Sequence, residues 1–229
     1  MKKVSLLLSA AVMAVVMMTS CGGSRKEITI GTQVWMAANL DVDKFQNGDP
    51  ILHAETDEEW RKAGEEGKPA WCYYDNDPKN GGKYGKLYNW YAIIDPRGLA
   101  PEGWRIPKEY DWEQLMLFLD PDIVDHATPI QYLLYHGSFE AAQKIKAKKG
   151  WGKENESTNI TGFSALPGGN RDFNGVFRDI NVGAYFWISS SEDVKSMIIS
   201  NNYPILVRTV MIESNKEKEM NGYSVRCVK

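Results

Sequence analysis

Two short stretches of the sequence carry side chains suited to binding. In Asn170-Arg171-Asp172-Phe173-Asn174-Gly175, two amides, a guanidinium and a carboxylate fall within six residues that end in a turn glycine. Such groups supply fixed donors and acceptors, and loops over a rigid scaffold carry most binding sites. Asn170, Arg171, Asp172 and Asn174 are therefore the candidate ligand-binding residues. Tyr185 and Trp187 follow, with rings able to stack on the apolar face of a sugar or a peptide. Two of these residues have a second reading: Arg171 as an arginine that holds its loop through buried hydrogen bonds, and Trp187 as a core ring. The other stretch, Asp75-Asn76-Asp77-Pro78-Lys79-Asn80-Gly81-Gly82, gathers the side-chain oxygens of Asp75, Asn76, Asp77 and Asn80. That set suits a hard cation such as calcium. It is equally the composition of a run of Asx turns, the commoner use of these residues.

Residues with the spacing of catalytic or metal-binding motifs are scarce. His53, His126 and His136 are the three histidines, and none forms a HExxH pattern or pairs on one helix face. GxSxG, CxxC, P-loop and dinucleotide fingerprints are absent from the sequence. Carboxylate pairs for glycoside hydrolysis cannot be assigned without geometry. The expectation is a protein that binds and does not catalyse, with no cofactor other than the calcium candidate.

The elements that position these stretches can be read in outline. Residues 28–30 and 33–36 read as strands around Gly31-Thr32. Residues 57–66 form a short helix with Asp57 as N-cap candidate and Gly67 as its stop. Residues 87–94 read as a short apolar helix. In residues 109–119, Trp112, Leu115, Met116 and Leu119 recur at i, i+3, i+4 and i+7, one face of an amphipathic helix stopped by Asp120-Pro121. An apolar piece at 130–134 and a helical run at 138–149 follow. The second half changes to short β-type runs at 163–166, 186–188, 196–199, 205–212 and 223–228, separated by Gly, Asn, Asp and Ser. A β start, helices, then a meander of strands predicts an α+β domain and not alternating βαβ units.

The N-terminus has a different character. Met1-Lys2-Lys3 is basic, the apolar run at 4–17 is short for a bilayer span, and Thr19-Ser20 precedes Cys21-Gly22. This resembles a bacterial lipoprotein signal, with cleavage before Cys21 and a lipid on its thiol. The reading is therefore 1–20 signal peptide, 21–26 tether, and 27–229 one domain, anchored outside the inner membrane on either the periplasmic or the cell-surface face of the outer membrane. The net charge of -3 over 229 residues becomes more negative once Lys2 and Lys3 are lost, which argues against nucleic acid as a partner. The membrane is then met only through the lipid. In an exported chain, Cys72 and Cys227 either form one disulfide or stay as two buried thiols that pack as small hydrophobes.

Six blocks carry a family resemblance. They are Ile30-Gly31-Thr32-Gln33-Val34-Trp35-Met36-Ala37-Ala38-Asn39-Leu40, Trp71-Cys72-Tyr73-Tyr74, Tyr84-Gly85-Lys86-Leu87-Tyr88-Asn89-Trp90-Tyr91-Ala92, Ala100-Pro101-Glu102-Gly103-Trp104-Arg105-Ile106-Pro107, Gly162-Phe163-Ser164-Ala165-Leu166-Pro167-Gly168-Gly169 with Arg171, and Ser224-Val225-Arg226-Cys227-Val228. In this order they resemble the Fibrobacter succinogenes major paralogous domain. The resemblance implies a C-type-lectin-like fold, shared with the formylglycine-generating enzymes, in which terminal strands pair and two helices pack on the sheet. It also implies an exported lipoprotein. The Trp104-Arg105-Ile106-Pro107 run is similar to the helix entry of those relatives, but Lys108 stands where they have a small hydroxyl residue, so the expected N-cap side chain is missing. The closely placed cysteines of the formylglycine-generating relatives are absent, as are the calcium-lectin triplets, so neither mechanism carries over. The expected function is a non-catalytic module that recognises a glycan or protein ligand at the cell envelope. The alternative is a structural component of an envelope protein complex.

Overall fold

A computed structural model describes residues 26–123, 137–152, 155–190, 193–200, 206–209 and 215–229. The expected signal peptide, Cys21, the 130–134 segment, His126 and His136 lie outside the described residues. In chain order the elements are β1 (Glu27–Ile30), β2 (Gln33–Met36), β3 (Leu52–His53), α1 (Asp57–Glu65), β4 (Ala70–Cys72), α2 (Gly81–Tyr84), β5 (Leu87–Tyr88), α3 (Trp90–Ile94) and α4 (Glu109–Leu119). Then come α5 (Phe139–Ile145), β6 (Gly168–Arg171), β7 (Phe177–Ile180), β8 (Gly183–Ile188), β9 (Lys195–Ser200), β10 (Leu206–Thr209) and α6 (Asn215–Glu219). The class is α+β. The β1–β2 hairpin stands apart, β3-β4-β5 form a small sheet, and the largest sheet has the order β10-β9-β8-β6-β7.

Strand β8 shows why the large sheet is central. Its residues alternate between two cores: Ala184, Phe186 and Ile188 enter one with Trp35, Trp112 and Phe163, while Trp187 enters the other with Trp71, Tyr88, Trp90 and Tyr223. A strand covered on both faces reads as a continuous apolar run, and GAYFWI does so. A third cluster, with Trp60, Cys72, Tyr74 and Leu87, lies under α1.

Residues 222–229 form no regular strand, although their β-type composition predicts one. They act as a seam of single bridges: Gly222 to Arg171, Tyr223 to Tyr88, Ser224 to Phe186, and Val228 to both Trp35 and Arg105. The seam joins the chain's ends, with Met36 N–H donating to Cys227 O at 3.0 Å and Lys229 N–H to Val34 O at 3.0 Å.

Local chemistry corrects several expectations. Thr56, not Asp57, caps α1: its hydroxyl accepts from Glu59 N–H at 3.1 Å, and Glu59 Oε2 accepts from Thr56 N–H at 3.1 Å, a reciprocal capping box. Residues 87–94 split into β5 and α3, because Asn89 caps α3 through Ala92 N–H at 3.1 Å and so cannot continue a helix from Leu87. Residues 163–166 are not a strand; Ala165 makes a lone parallel bridge to Lys146. The helix expected at 138–149 ends at Ile145, with Ser138 as its cap.

The missing hydroxyl at Lys108 is offset from the other side of the helix entry. Asp111 accepts from Lys108 N–H at 2.7 Å and takes the Arg105 guanidinium in two bonds of 2.5 and 2.6 Å. Burial acts to raise this carboxyl, but Arg105 and the Lys108 N–H outweigh it and hold it below its ordinary 3.8. A carboxyl depressed by folding contributes stability in full above its unfolded value and loses it as pH falls through the folded one. Asp111→Asn is therefore expected to cost roughly 1–3 kcal/mol at neutral pH and much less at the acid end. Urea midpoints measured from pH 7 down to pH 3 check this; a cost independent of pH would contradict it.

Cys72 and Cys227 are not bridged. Each thiol packs in a different apolar cluster, so the disulfide alternative gives way to two buried thiols. Burial pushes the Cys72 thiol up to about 12 despite the charge of Arg171 nearby, which leaves it a poor nucleophile.

Candidate functional site

The Asn170–Gly175 stretch lies on the β6–β7 hairpin, which composition does not reveal because Gly168-Gly169-Asn170 is a poor strand former. Register Asn170↔Arg178 and Arg171↔Phe177 sets the two candidate side chains on opposite faces. Asp172 organises the turn: its Oδ1 accepts from Asn174 N–H at 2.9 Å and Val176 N–H at 3.0 Å, and its Oδ2 takes Arg178 Nε at 2.7 Å. Gly175 has φ 91°, and a Cβ there would lie 3.0 Å from that of Asp57, so only glycine closes this turn.

Arg171 points inward and is fully buried. Its Nε donates to Gly175 O at 2.9 Å, Nη1 to Ala54 O at 3.3 Å, and Nη2 to Asp57 Oδ1 at 2.7 Å. The guanidinium also lies over Trp60 and Phe177, 4.9 and 4.7 Å from the ring centroids. No bond is left facing solvent, so Arg171 is a staple joining the hairpin to α1 and not a ligand contact. Asn174 sits exposed at the tip of the turn, and Trp187 is core.

On the opposite face the structure assembles a small polar rim. Asn170 Nδ2 donates to Asp179 Oδ2 at 3.2 Å, and Tyr185 Oη donates to the same oxygen at 2.5 Å. Asp179 holds φ 61°, a left-handed conformation that an aspartate adopts at some cost. The Tyr185 ring stacks on Tyr223 at 5.4 Å and 24°, Tyr223 packs on Trp187 at 4.4 Å, and Trp187 on Trp90 at 5.3 Å. This ladder of rings anchors the rim in the second core. Its outermost ring is not a stacking platform: Tyr185 is covered by Tyr223 on one side and lies against Gly183, where a Cβ would meet Cε2 at 2.6 Å. What the rim presents is polar edges.

Of the sequence candidates, the fold brings Asn170 and Asp172 into this region and leaves Arg171 and Asn174 out. It adds Arg178, Asp179 and Tyr223. Nothing in a single sequence points to Asp179, whose role depends on a backbone angle, or to Tyr223, which arrives through the bridge of Gly222 to Arg171.

The acidic loop is occupied by its own contacts. Asp75 and Asn76 adopt φ 55° and 52°, Asn76 Oδ1 accepts from Arg171 Nη1 at 3.5 Å, Asp77 Oδ1 accepts from Lys79 N–H at 3.0 Å, and Asn80 Nδ2 donates to Tyr74 O at 2.8 Å. The Asp77 contact is an Asx turn, while the Asn76 and Asn80 amides are held by Arg171 and by the Tyr74 carbonyl. Among the described residues, no group of three or more His, Cys, Asp or Glu side chains is disposed to hold a metal ion. His53 stacks flat on Trp71, ring centroids 3.8 Å apart.

The fold and site define an α+β domain whose Arg171, Cys72 and Cys227 are structural and whose polar rim, exposed at Arg178 and Asp179, is fixed to an aromatic core. Residues 28–229 match the Fibrobacter succinogenes major domain, and the chain belongs to that family. No curated protein and no solved structure is detectably similar to it.

Proposed function

We propose that this chain is a lipid-anchored, exported binding module without catalytic activity, and that it recognises a glycan through the rim of Asn170, Asp172, Arg178, Asp179, Tyr185 and Tyr223. The observation that carries this reading is Asp179: an exposed carboxylate held in a left-handed backbone, with Oδ2 fixed by two donors and Oδ1 bonded to no described residue. Strained, pre-set polar groups over a rigid scaffold are what hydroxyl recognition uses. Joined N- and C-terminal segments, with α4 and α5 contributing to the core beside the large sheet, support the C-type-lectin-like arrangement.

Binding of the folded domain to a panel of plant and host glycans tests the reading, with Asp179→Ala as the variant. The expected result is binding to at least one class of glycan and its loss in the variant. Retention of an intact protein complex after crosslinking, with no glycan bound, would favour the assembly role instead.

The anchor has its own test. Cys21→Ser is expected to abolish incorporation of labelled palmitate and to move the protein from the membrane pellet to the soluble fraction. Unchanged labelling and pelleting would remove the lipoprotein assignment. Protease shaving of intact cells then separates the surface face from the periplasmic one.

A further inference from the structure

Resting on the binding reading above, we propose that the group taken by this rim is a neutral vicinal diol of a sugar ring, and that Tyr223 is its specificity-determining donor. Arg171 and Gly222 exchange both backbone hydrogen bonds, at 2.7 and 3.0 Å. The next opposed pair in that antiparallel bridge is Asn170 and Tyr223, whose side chains therefore share one face. The Asn170 amide and the Tyr185 hydroxyl both end on Asp179, and the Tyr185 ring stacks on Tyr223, which puts Tyr223 beside that group and within reach of its charge. Tyr223 is only 7% exposed as a residue, and its hydroxyl, which bonds to no described residue, keeps contact with solvent at the rim. Burial, followed by the charges of Asp172 and Asp179, raises its pKa, so it stays a donor across physiological pH.

The charges select the ligand. Two carboxylates beside the phenol disfavour phosphate, sulfate and uronate groups. A divalent cation needs six or more oxygens, whereas both Asp172 oxygens are already taken and Asp179 offers one. An ammonium can donate to Asp179 but cannot accept from the phenol. A hydroxyl does both, and a second hydroxyl on the adjacent carbon can accept from the half-exposed Arg178 guanidinium.

The test uses the mature protein and arrayed neutral oligosaccharides, intact and after periodate oxidation, which cleaves vicinal diols. Wild-type binding is expected to vanish on the oxidised array. Tyr223→Phe is expected to keep the wild-type melting temperature, since no protein hydrogen bond is lost, while affinity falls about tenfold, the worth of one hydrogen bond. Glycan binding that survives periodate, or that Tyr223→Phe leaves unchanged, overturns the diol inference and leaves the binding reading standing. A drop in melting temperature without loss of affinity assigns the hydroxyl to structure and also overturns the inference. Absence of binding to any intact glycan overturns both.

Discussion

Replacing Arg171 by alanine is expected to lower the melting temperature by about 10 °C, and any loss of ligand binding that accompanies it should follow from unfolding. The side chain is fully buried and joins three segments distant in sequence: the hairpin at Gly175, the chain before α1 at Ala54, and α1 itself at Asp57. Truncation leaves two carbonyls without their donor, at roughly 1–3 kcal/mol each, and opens a cavity between Trp60 and Phe177. Against that stands the recovered cost of burying a cation, so a net loss of about 3–5 kcal/mol is expected. At about 2–4 °C per kcal/mol for a domain of this size, the shift is near 10 °C. Arg171→Lys should recover only part of it, because an ammonium cannot reproduce the planar fork. Asp57→Asn is the informative contrast. The Asp57 side chain is 63% exposed while Arg171 is fully buried, and the amide keeps an acceptor for Nη2, so this variant should lose about 1–2 kcal/mol and melt only a few degrees below the wild type. Equal effects of the two substitutions would show that the ion pair, and not the carbonyl bonds and ring packing, carries the stability.

Arg226→Leu is expected to be similarly damaging for a different reason. This guanidinium is 1% exposed and has no carboxylate partner among the described residues; burial pulls its pKa down from 12.5 to about 9. All its bonds go to neutral oxygens: Nε and Nη2 to Asn39 Oδ1 at 2.9 and 2.7 Å, and Nη1 to Phe163 O at 2.7 Å and Met36 O at 3.2 Å. Leucine removes a costly buried charge, an exchange that is often neutral when the whole polar group goes with it. Here the acceptors remain, and leaving them bare outweighs the gain, for a net loss of about 3–5 kcal/mol. The double variant Arg226→Leu/Asn39→Leu isolates the coupling. It removes acceptor and donor together and should lose less than the sum of the single variants, by about 1–2 kcal/mol. Strict additivity of urea midpoints would mean that Arg226 acts through the Phe163 and Met36 carbonyls and its packing, and not through Asn39.

Both arginines fall within or beside the blocks that carry the family resemblance, and the sequence offers two readings of Arg171 without deciding between them. An arginine followed by aspartate and asparagine near a glycine turn has the composition of a recognition loop and equally that of a loop staple. The decision depends on which face of β6 meets α1. That is set by pairing with β7, whose partner Phe177 and turn at Gly175 make sense only after the hairpin is formed. The same holds for Asn89, whose cap ends a helix that the apolar run 87–94 predicts whole.

Local patterns were sufficient for much of the architecture. The 3.6-residue spacing of Trp112, Leu115, Met116 and Leu119 places α4 with its bounds. The β1–β2 hairpin follows from apolar runs around Gly31-Thr32, and the order of elements yields the α+β class. These features rest on periodicity and turn chemistry within a few residues, so one sequence determines them, as its ordered blocks determine the family. The rim was beyond that reach. Asp179 matters because its backbone is left-handed, Tyr223 because a single bridge carries it beside Asn170, and the cysteines stay apart because they face different cores. Each is a long-range pairing in which the energy comes from burial and register, quantities that no local stretch of residues encodes.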